Sequence, residues 1–179
     1  KLASILSRLD CLDRLVSSDE PVDGIAYAYS VGDLPLLLGM DAAAKIPPPL
    51  TLSAIPDRLQ AMREKLSALG PRPYVGVMWR AGTEKTQKAL YKETPKAMLA
   101  DTLKDLPVTV LVLQRLPETG EIETFSRALG RAAHDLSALN DDLEDMLALL
   151  ALLDDYVGVS NTNMHLMAGL GKTARVLVP

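Results

Sequence analysis

Residues 140–179 read NDDLEDMLALLALLDDYVGVSNTNMHLMAGLGKTARVLVP, and they carry the clearest fold signal of the chain. An apolar run with helical spacing leads into a short strand-like run at residues 156–159, and the polar loop at residues 160–163 follows directly. A second helical pattern begins where the loop ends. In α/β proteins, a strand that leads through a small polar loop into a helix N-terminus is a common phosphate-binding arrangement. The stretch therefore predicts an α/β domain with a phosphate-binding loop.

The preceding residues alternate between strand and helix patterns. Residues 108–113, VTVLVL, form a continuous apolar run, which is typical of a strand buried on both faces of a parallel sheet. We expect further strands at residues 74–79 and 132–136, and helices at residues 94–106, 121–129 and 141–153. Thr94 and Asp141 are the predicted N-caps. This alternation predicts an α/β fold with a doubly wound, Rossmann-like parallel sheet.

The first 70 residues are less regular. An apolar stripe predicts a helix over residues 2–15, and alternation predicts a strand over residues 24–31. A short helix is expected at residues 33–39, and a longer one at residues 57–69 that ends before Gly70 and Pro71. The prolines at residues 47–49 predict a linker between these parts.

The composition is that of an ordinary globular protein: the 179 residues are 48% hydrophobic and carry a net charge of -4. This charge argues against a nucleic-acid partner. The longest apolar run, residues 146–153, is too short for a transmembrane segment. The single cysteine fits a cytoplasmic protein. Because the chain starts at Lys1 and stops on a run that predicts a buried strand at residues 174–178, we expect it to be part of a longer protein.

Polar residues follow three of the predicted strands. Arg80 follows the first, Gln114 follows VTVLVL, and the loop Ser160, Asn161, Thr162 and Asn163 follows the third. Because the carboxyl ends of parallel strands share one edge of the sheet, these residues are predicted to form a ligand site. Simpler interpretations exist for two of them: Ser and Asn commonly cap helices, and an arginine such as Arg80 commonly forms a surface ion pair.

Several segments of the chain resemble a known enzyme family. The segments GVMWRAG at 76–82, LVLQR at 111–115 and residues 149–179 resemble the carboxyl-terminal domain of heptosyltransferase-like enzymes, which have the B-type glycosyltransferase fold. The family's His-Leu-Ala-Gly-Ala-Leu-Gly pattern is similar to the run that starts at His165. Residues 90–121 resemble the lysine-bearing segment of O-linked N-acetylglucosamine transferase, in which the lysine contacts the nucleotide diphosphate. Lys92 is the matching residue. In bacteria such domains often follow tetratricopeptide repeats.

The resemblance implies a function and a set of roles. It implies metal-independent transfer of a sugar from a nucleotide diphosphate sugar, without a further cofactor, to an unknown acceptor: a glycan, a lipopolysaccharide precursor or a protein. Residues 1–70 would be the remnant of an amino-terminal domain with a linker helix, and residues 71–179 an incomplete nucleotide-sugar-binding domain. Lys92 and His165 would be the catalytic residues. The donor would be bound by Arg80, Gln114, Ser160, Asn161, Thr162 and Asn163.

The sequence departs from the family pattern at two positions, which leaves alternatives open. Ser160 stands where the family usually has aspartate, and Asn161 where it has threonine. One alternative is a non-catalytic nucleotide-binding or adaptor module derived from the same fold. Another is a different nucleotide-binding α/β enzyme, such as an epimerase. His165 could equally anchor the loop by hydrogen bonds inside the domain.

Overall fold

The computed structural model describes residues 2–16, 20–42, 48, 50–81 and 92–178. Its helices are α1 (Ala3–Leu6), α2 (Leu34–Leu37), α3 (Pro56–Leu69), α4 (Lys96–Leu103), α5 (Glu121–Leu129), α6 (Leu143–Leu152) and α7 (Thr162–Gly169). Its strands are β1 (Tyr74–Met78), β2 (Arg80–Ala81), β3 (Lys92–Glu93), β4 (Thr109–Val112), β5 (His134–Asp135), β6 (Asp155–Val159) and β7 (Arg175–Leu177). Short 3-10 turns occupy Val31–Asp33 and Ser137–Asp141.

The main sheet is parallel and has five strands in the order β5-β4-β1-β6-β7. Val77 of the central strand β1 lies beside Val112 of β4 on one side and Val157 of β6 on the other. From β1 the chain first adds strands on one side, and it then returns to add β6 and β7 on the other. This order confirms the predicted doubly wound, Rossmann-like α/β fold.

Two apolar clusters cover the two faces of the sheet. Alternate residues of β1 point to opposite faces, so Tyr74 and Met78 join one cluster while Val75 and Val77 join the other. Helices α3, α6 and α7 contribute to the first cluster, and α4 and α5 to the second. Gly76 permits a close approach on the first face, since a Cβ there would lie 2.7 Å from Leu153 Cδ1.

Most of the predicted elements from residue 57 onward are confirmed, with shifts at their ends. The N-cap of α4 is Pro95 and not Thr94, because the backbone N–H of Thr94 donates to the carbonyl of Trp79, 2.8 Å away. The N-cap of α6 is Asp142 and not Asp141, and its carboxylate accepts a 2.9 Å hydrogen bond from the N–H of Glu144. The last strand is not buried: β7 is an edge strand whose Val176 is 37% exposed.

Two expectations for the first part of the chain are wrong. The helix predicted over residues 2–15 is limited to α1, because Leu12 and Leu15 are exposed and bury no apolar face that would support further turns. Residues 24–30 form no strand, and Tyr27 and Tyr29 are exposed instead of facing a sheet. The short helix near residue 34 is confirmed as α2.

Some predicted features lie outside the described residues, namely the linker prolines at 47 and 49 and residues 82, 83, 90 and 91 of the quoted segments. Within the described parts of the chain, the helices are too short or too polar to cross a membrane.

Candidate functional site

The strand order defines a crevice at the carboxyl edge of the sheet. The chain adds strands in opposite directions from the neighbouring pair β1 and β6, so their carboxyl ends form a topological switch point. Ligands of open α/β sheets bind outside the sheet at this position. Trp79 and Arg80 follow β1 there, and Ser160 and Asn161 follow β6. The structure thus brings together the polar segments that the sequence predicted to converge.

Gln114 joins the ends of β1 and β4. Its side-chain Oε1 accepts hydrogen bonds from the backbone N–H groups of Trp79 (3.2 Å) and Arg80 (3.0 Å). Its Nε2 donates to the carbonyls of Arg80 (3.1 Å) and Arg115 (3.0 Å). Gln114 is buried, and its amide is fully engaged with the backbone. It therefore fixes the loop that leaves β1, and its predicted contact with a donor stays a prediction.

Lys92 is located at the same edge through a second, two-stranded sheet. β3 pairs antiparallel with β2, and Lys92 lies opposite Ala81. The N–H of Thr94 returns to the carbonyl of Trp79 at the end of β1, 2.8 Å away. We call β2 and β3 the arm. Lys92 is half-buried, and among the residues that the structure describes no carboxylate forms a salt bridge with it.

Asn161 is the N-cap of α7. Its Oδ1 accepts from the N–H groups of Asn163 (2.8 Å) and Met164 (3.3 Å). Its Nδ2 donates to the Tyr156 hydroxyl (2.7 Å) and the Val159 carbonyl (2.6 Å). Burial raises the pKa of Tyr156, against the effect of the hydrogen bond from Asn161, so the buried hydroxyl remains neutral. The side chain of Asn161 thus fixes the loop, as the capping interpretation predicted.

The first turn of α7 keeps donors for a ligand. The first four N–H groups of a helix have no intrahelical partner, and Asn161 satisfies two of them. Within the part of the chain that the structure describes, the N–H groups of Asn161 and Thr162 are left, together with the hydroxyls of the half-buried Ser160 and the exposed Thr162. The positive end of the helix dipole adds to this set. Such an arrangement can bind an anion.

Two other predicted residues of this segment are Asn163 and His165. Asn163 is buried, with 2% exposure, and its Nδ2 has no hydrogen-bond partner within the described residues. His165 is exposed, three residues into α7 after Thr162. Among the described residues His165 makes no hydrogen bond with the loop, and its catalytic role stays a prediction.

A buried carboxylate next to the arm was not predicted. Glu121, the first residue of α5, has a side chain that is 1% exposed. It accepts hydrogen bonds from Trp79 Nε1 (2.9 Å), Arg80 Nη2 (2.9 Å), Lys96 Nζ (2.8 Å) and the N–H of Glu118 (2.9 Å). Burial alone would raise its pKa, but these donors hold the pKa of Glu121 below its usual value. Glu121 is therefore a charged group at neutral pH.

Arg80 is an ion-pair residue, which was the simpler of its two interpretations. Its guanidinium lies 2.9 Å from Glu121 and 2.8 Å from Glu118, and its side chain is 12% exposed. The contact is thus more buried than a surface ion pair. No sequence signal singled out Glu121, because its partners come from segments that only the folded sheet brings together. In the described ranges, no cluster of three His, Cys, Asp or Glu side chains could bind a metal.

No protein-family model matches the chain, and no curated protein matches it. A solved structure to which it is similar is that of POFUT1 in complex with GDP, with a TM-score of 0.49 and 15% sequence identity. The alignment covers 70% of this chain and 47% of the POFUT1 chain, so the chain spans about half the length of that protein.

Proposed function

We propose that this chain is a glycosyltransferase-type domain that binds a nucleotide diphosphate sugar at the carboxyl edge of its sheet. The observation that carries the proposal is the position of the α7 N-terminus at the switch point between β1 and β6, with Lys92 on the arm that returns to the end of β1. Cationic and N–H donors at one edge suit a diphosphate.

The chemistry of sugar transfer gives these groups a role. When the bond between the sugar and the diphosphate breaks, negative charge grows on the leaving oxygen. A fixed cation and a helix N-terminus stabilise that charge more in the transition state than in the ground state. Lys92 would supply the cation, and the N–H of Thr162 would donate to the phosphates. The proposed reaction needs no metal ion, and His165 would contact the donor.

The acceptor belongs to the proposal as well. By resemblance to the heptosyltransferase-like enzymes, it would be a glycan, a lipopolysaccharide precursor or a protein, used in the cytoplasm. In the B-type fold the acceptor enters from a second domain, which also supplies the general base. We therefore propose that transfer takes place in a cleft between residues 71–179 and an amino-terminal domain.

Calorimetric titration of the protein with UDP and with GDP tests the donor site, with UMP and GMP as controls for the second phosphate. We expect Lys92→Ala to weaken diphosphate binding by about tenfold, which corresponds to about 1.4 kcal/mol. Lys104→Ala is the matched control, because Lys104 is exposed, pairs with Asp101, and caps the end of α4 opposite to the end that follows the arm. Equal affinities of native protein and Lys92→Ala would reject the role of Lys92.

The second candidate is a non-catalytic nucleotide-binding module. It is favoured by the side chain of Asn161, whose four hydrogen bonds are all made within the protein and which offers the ligand no hydroxyl. The two candidates differ in turnover. A binding module would bind UDP or GDP and yet release no nucleotide from the corresponding nucleotide sugars over hours, whereas an enzyme would release it.

A further inference from the structure

The described strands of the arm leave and re-enter the domain at neighbouring positions. β2 leaves the end of β1 through Trp79, and the chain that leaves β3 returns to the Trp79 carbonyl through the N–H of Thr94, 2.8 Å away. Lys96, two residues further on, begins α4. The carboxylate of Glu121 therefore binds Trp79 just before the arm, Arg80 at its start and Lys96 just after it. We call these four residues the Glu121 clasp.

We propose that Glu121 is a positioning residue that fixes both ends of the arm and thereby holds Lys92 at the phosphate edge. The inference rests on the proposed function for Lys92. Glu121 itself is buried below the edge and contacts no ligand in this proposal; it acts through the backbone of the arm.

The strength of the clasp follows from its charges. Two of its hydrogen bonds come from cations, Arg80 and Lys96, and charge-assisted bonds are about twice as strong as neutral ones. Burial of the carboxylate removes the competition from water. Arg80 has a second acceptor in Glu118, but that side chain is 69% exposed and contributes little alone. The clasp therefore depends on Glu121.

The conformation of the neighbouring loop also fits this role. Leu116 has a φ of 48°, in the left-handed region that disfavours residues with a side chain. In this conformation its carbonyl accepts a hydrogen bond from Arg80 Nη2, 3.3 Å away. The loop between β4 and α5 is thus shaped around the guanidinium that Glu121 binds.

Hydrogen exchange tests whether Glu121 fixes the arm. In Glu121→Gln, which keeps the shape and loses the charge, we expect the amide of Thr94 to exchange at least tenfold faster than in the native protein. The amide of Leu113, which donates to Val77 inside the main sheet, should be unchanged. Glu123→Gln, on the exposed face of α5, is the matched control. An unchanged rate at Thr94 in Glu121→Gln would overturn the proposal.

A double-mutant cycle tests whether Glu121 acts through Lys92. With UDP and GDP as probes, we expect Glu121→Gln to weaken binding several-fold, and Glu121→Gln/Lys92→Ala to bind no more weakly than Lys92→Ala alone. Additive losses would mean that Glu121 acts on the fold in general and would overturn the inference. If native protein binds neither nucleotide, the proposed function is rejected. The exchange rate of the Thr94 amide would still test whether Glu121 fixes the arm.

A second variant covers the case in which Glu121→Gln does not fold. Lys96→Met removes one of the two cations from the clasp at a position whose side chain is 29% exposed. We expect Thr94 to exchange faster in this variant, by a smaller factor than in Glu121→Gln. An unchanged Thr94 rate in Lys96→Met would likewise count against the clasp.

Discussion

Trp79 and Glu121 give the protein a built-in optical probe of one carboxylate. Trp79 is the single tryptophan, is fully buried, and donates from Nε1 to Glu121. Burial alone would raise the pKa of Glu121, but the hydrogen bonds from Lys96, the backbone of Glu118 and Trp79 hold it below the ordinary 4.5. We therefore expect the emission of Trp79 to change as Glu121 is protonated, in a transition centred below pH 4.5, measured by fluorescence titration.

The same titration has a consequence for stability. Because the pKa of Glu121 is lower in the folded than in the unfolded protein, its charge stabilises the fold above the unfolded-state pKa, and this contribution is lost as the pH falls through the folded value. Urea unfolding measures the free energy of unfolding at pH 7 and at pH 4. We expect this free energy to decrease more between the two pH values in native protein than in Glu121→Gln. A fluorescence transition that persists in Glu121→Gln would assign it to another group.

At the scale of the element, the start of α7 depends on one side chain. Asn161 accepts from the N–H groups of Asn163 and Met164, and loss of such an N-cap costs about 0.5–2 kcal/mol. We expect Asn161→Ala to lower the free energy of unfolding by about that amount, at the upper end because the Tyr156 hydroxyl also loses its donor. Urea denaturation measures the change.

Thr162→Ala is the control for this prediction, since Thr162 is exposed at the first position of the same helix and its side chain caps nothing in the described structure. Equal stability of Asn161→Ala and Thr162→Ala would show that the cap is dispensable and that the loop is held by the packing of α7.

The same elements show what the sequence can predict. Apolar periodicity predicted the strands and helices of the sheet because it reports which faces are buried. Helix ends were displaced by one residue where tertiary contacts decide them: the N–H of Thr94 bonds to Trp79, a partner from another strand. From the sequence, Asn161 could either bind a ligand or cap the following helix, because a polar side chain in this loop can do both. Glu121 left no signal, because two distant segments, one with Trp79 and Arg80 and one with Lys96, supply most of its donors.

At the scale of the whole molecule, the first residues of the chain join the core of the α/β domain. Ile5 of α1 is 2% exposed and belongs to the same apolar cluster as Leu66 and Met146. Arg8 binds the carboxylate of Glu144 on α6 through both terminal nitrogens, at 2.5 and 2.9 Å. A boundary at residue 70 stays a prediction, but these contacts mean that residues near the start stabilise the sheet from one side.

Ile5→Ala measures that contribution. Removing a buried isoleucine to alanine costs about 2–5 kcal/mol, and we expect a loss in this range because Ile5 is almost fully buried. Urea unfolding should be followed through Trp79, which lies in the cluster on the opposite face of the sheet. If the two faces unfold together, Trp79 reports the full loss in one transition. Leu2→Ala, at a 45% exposed position just before α1, should change little. A Trp79 transition that Ile5→Ala leaves unmoved would show that the first segment unfolds independently of the sheet.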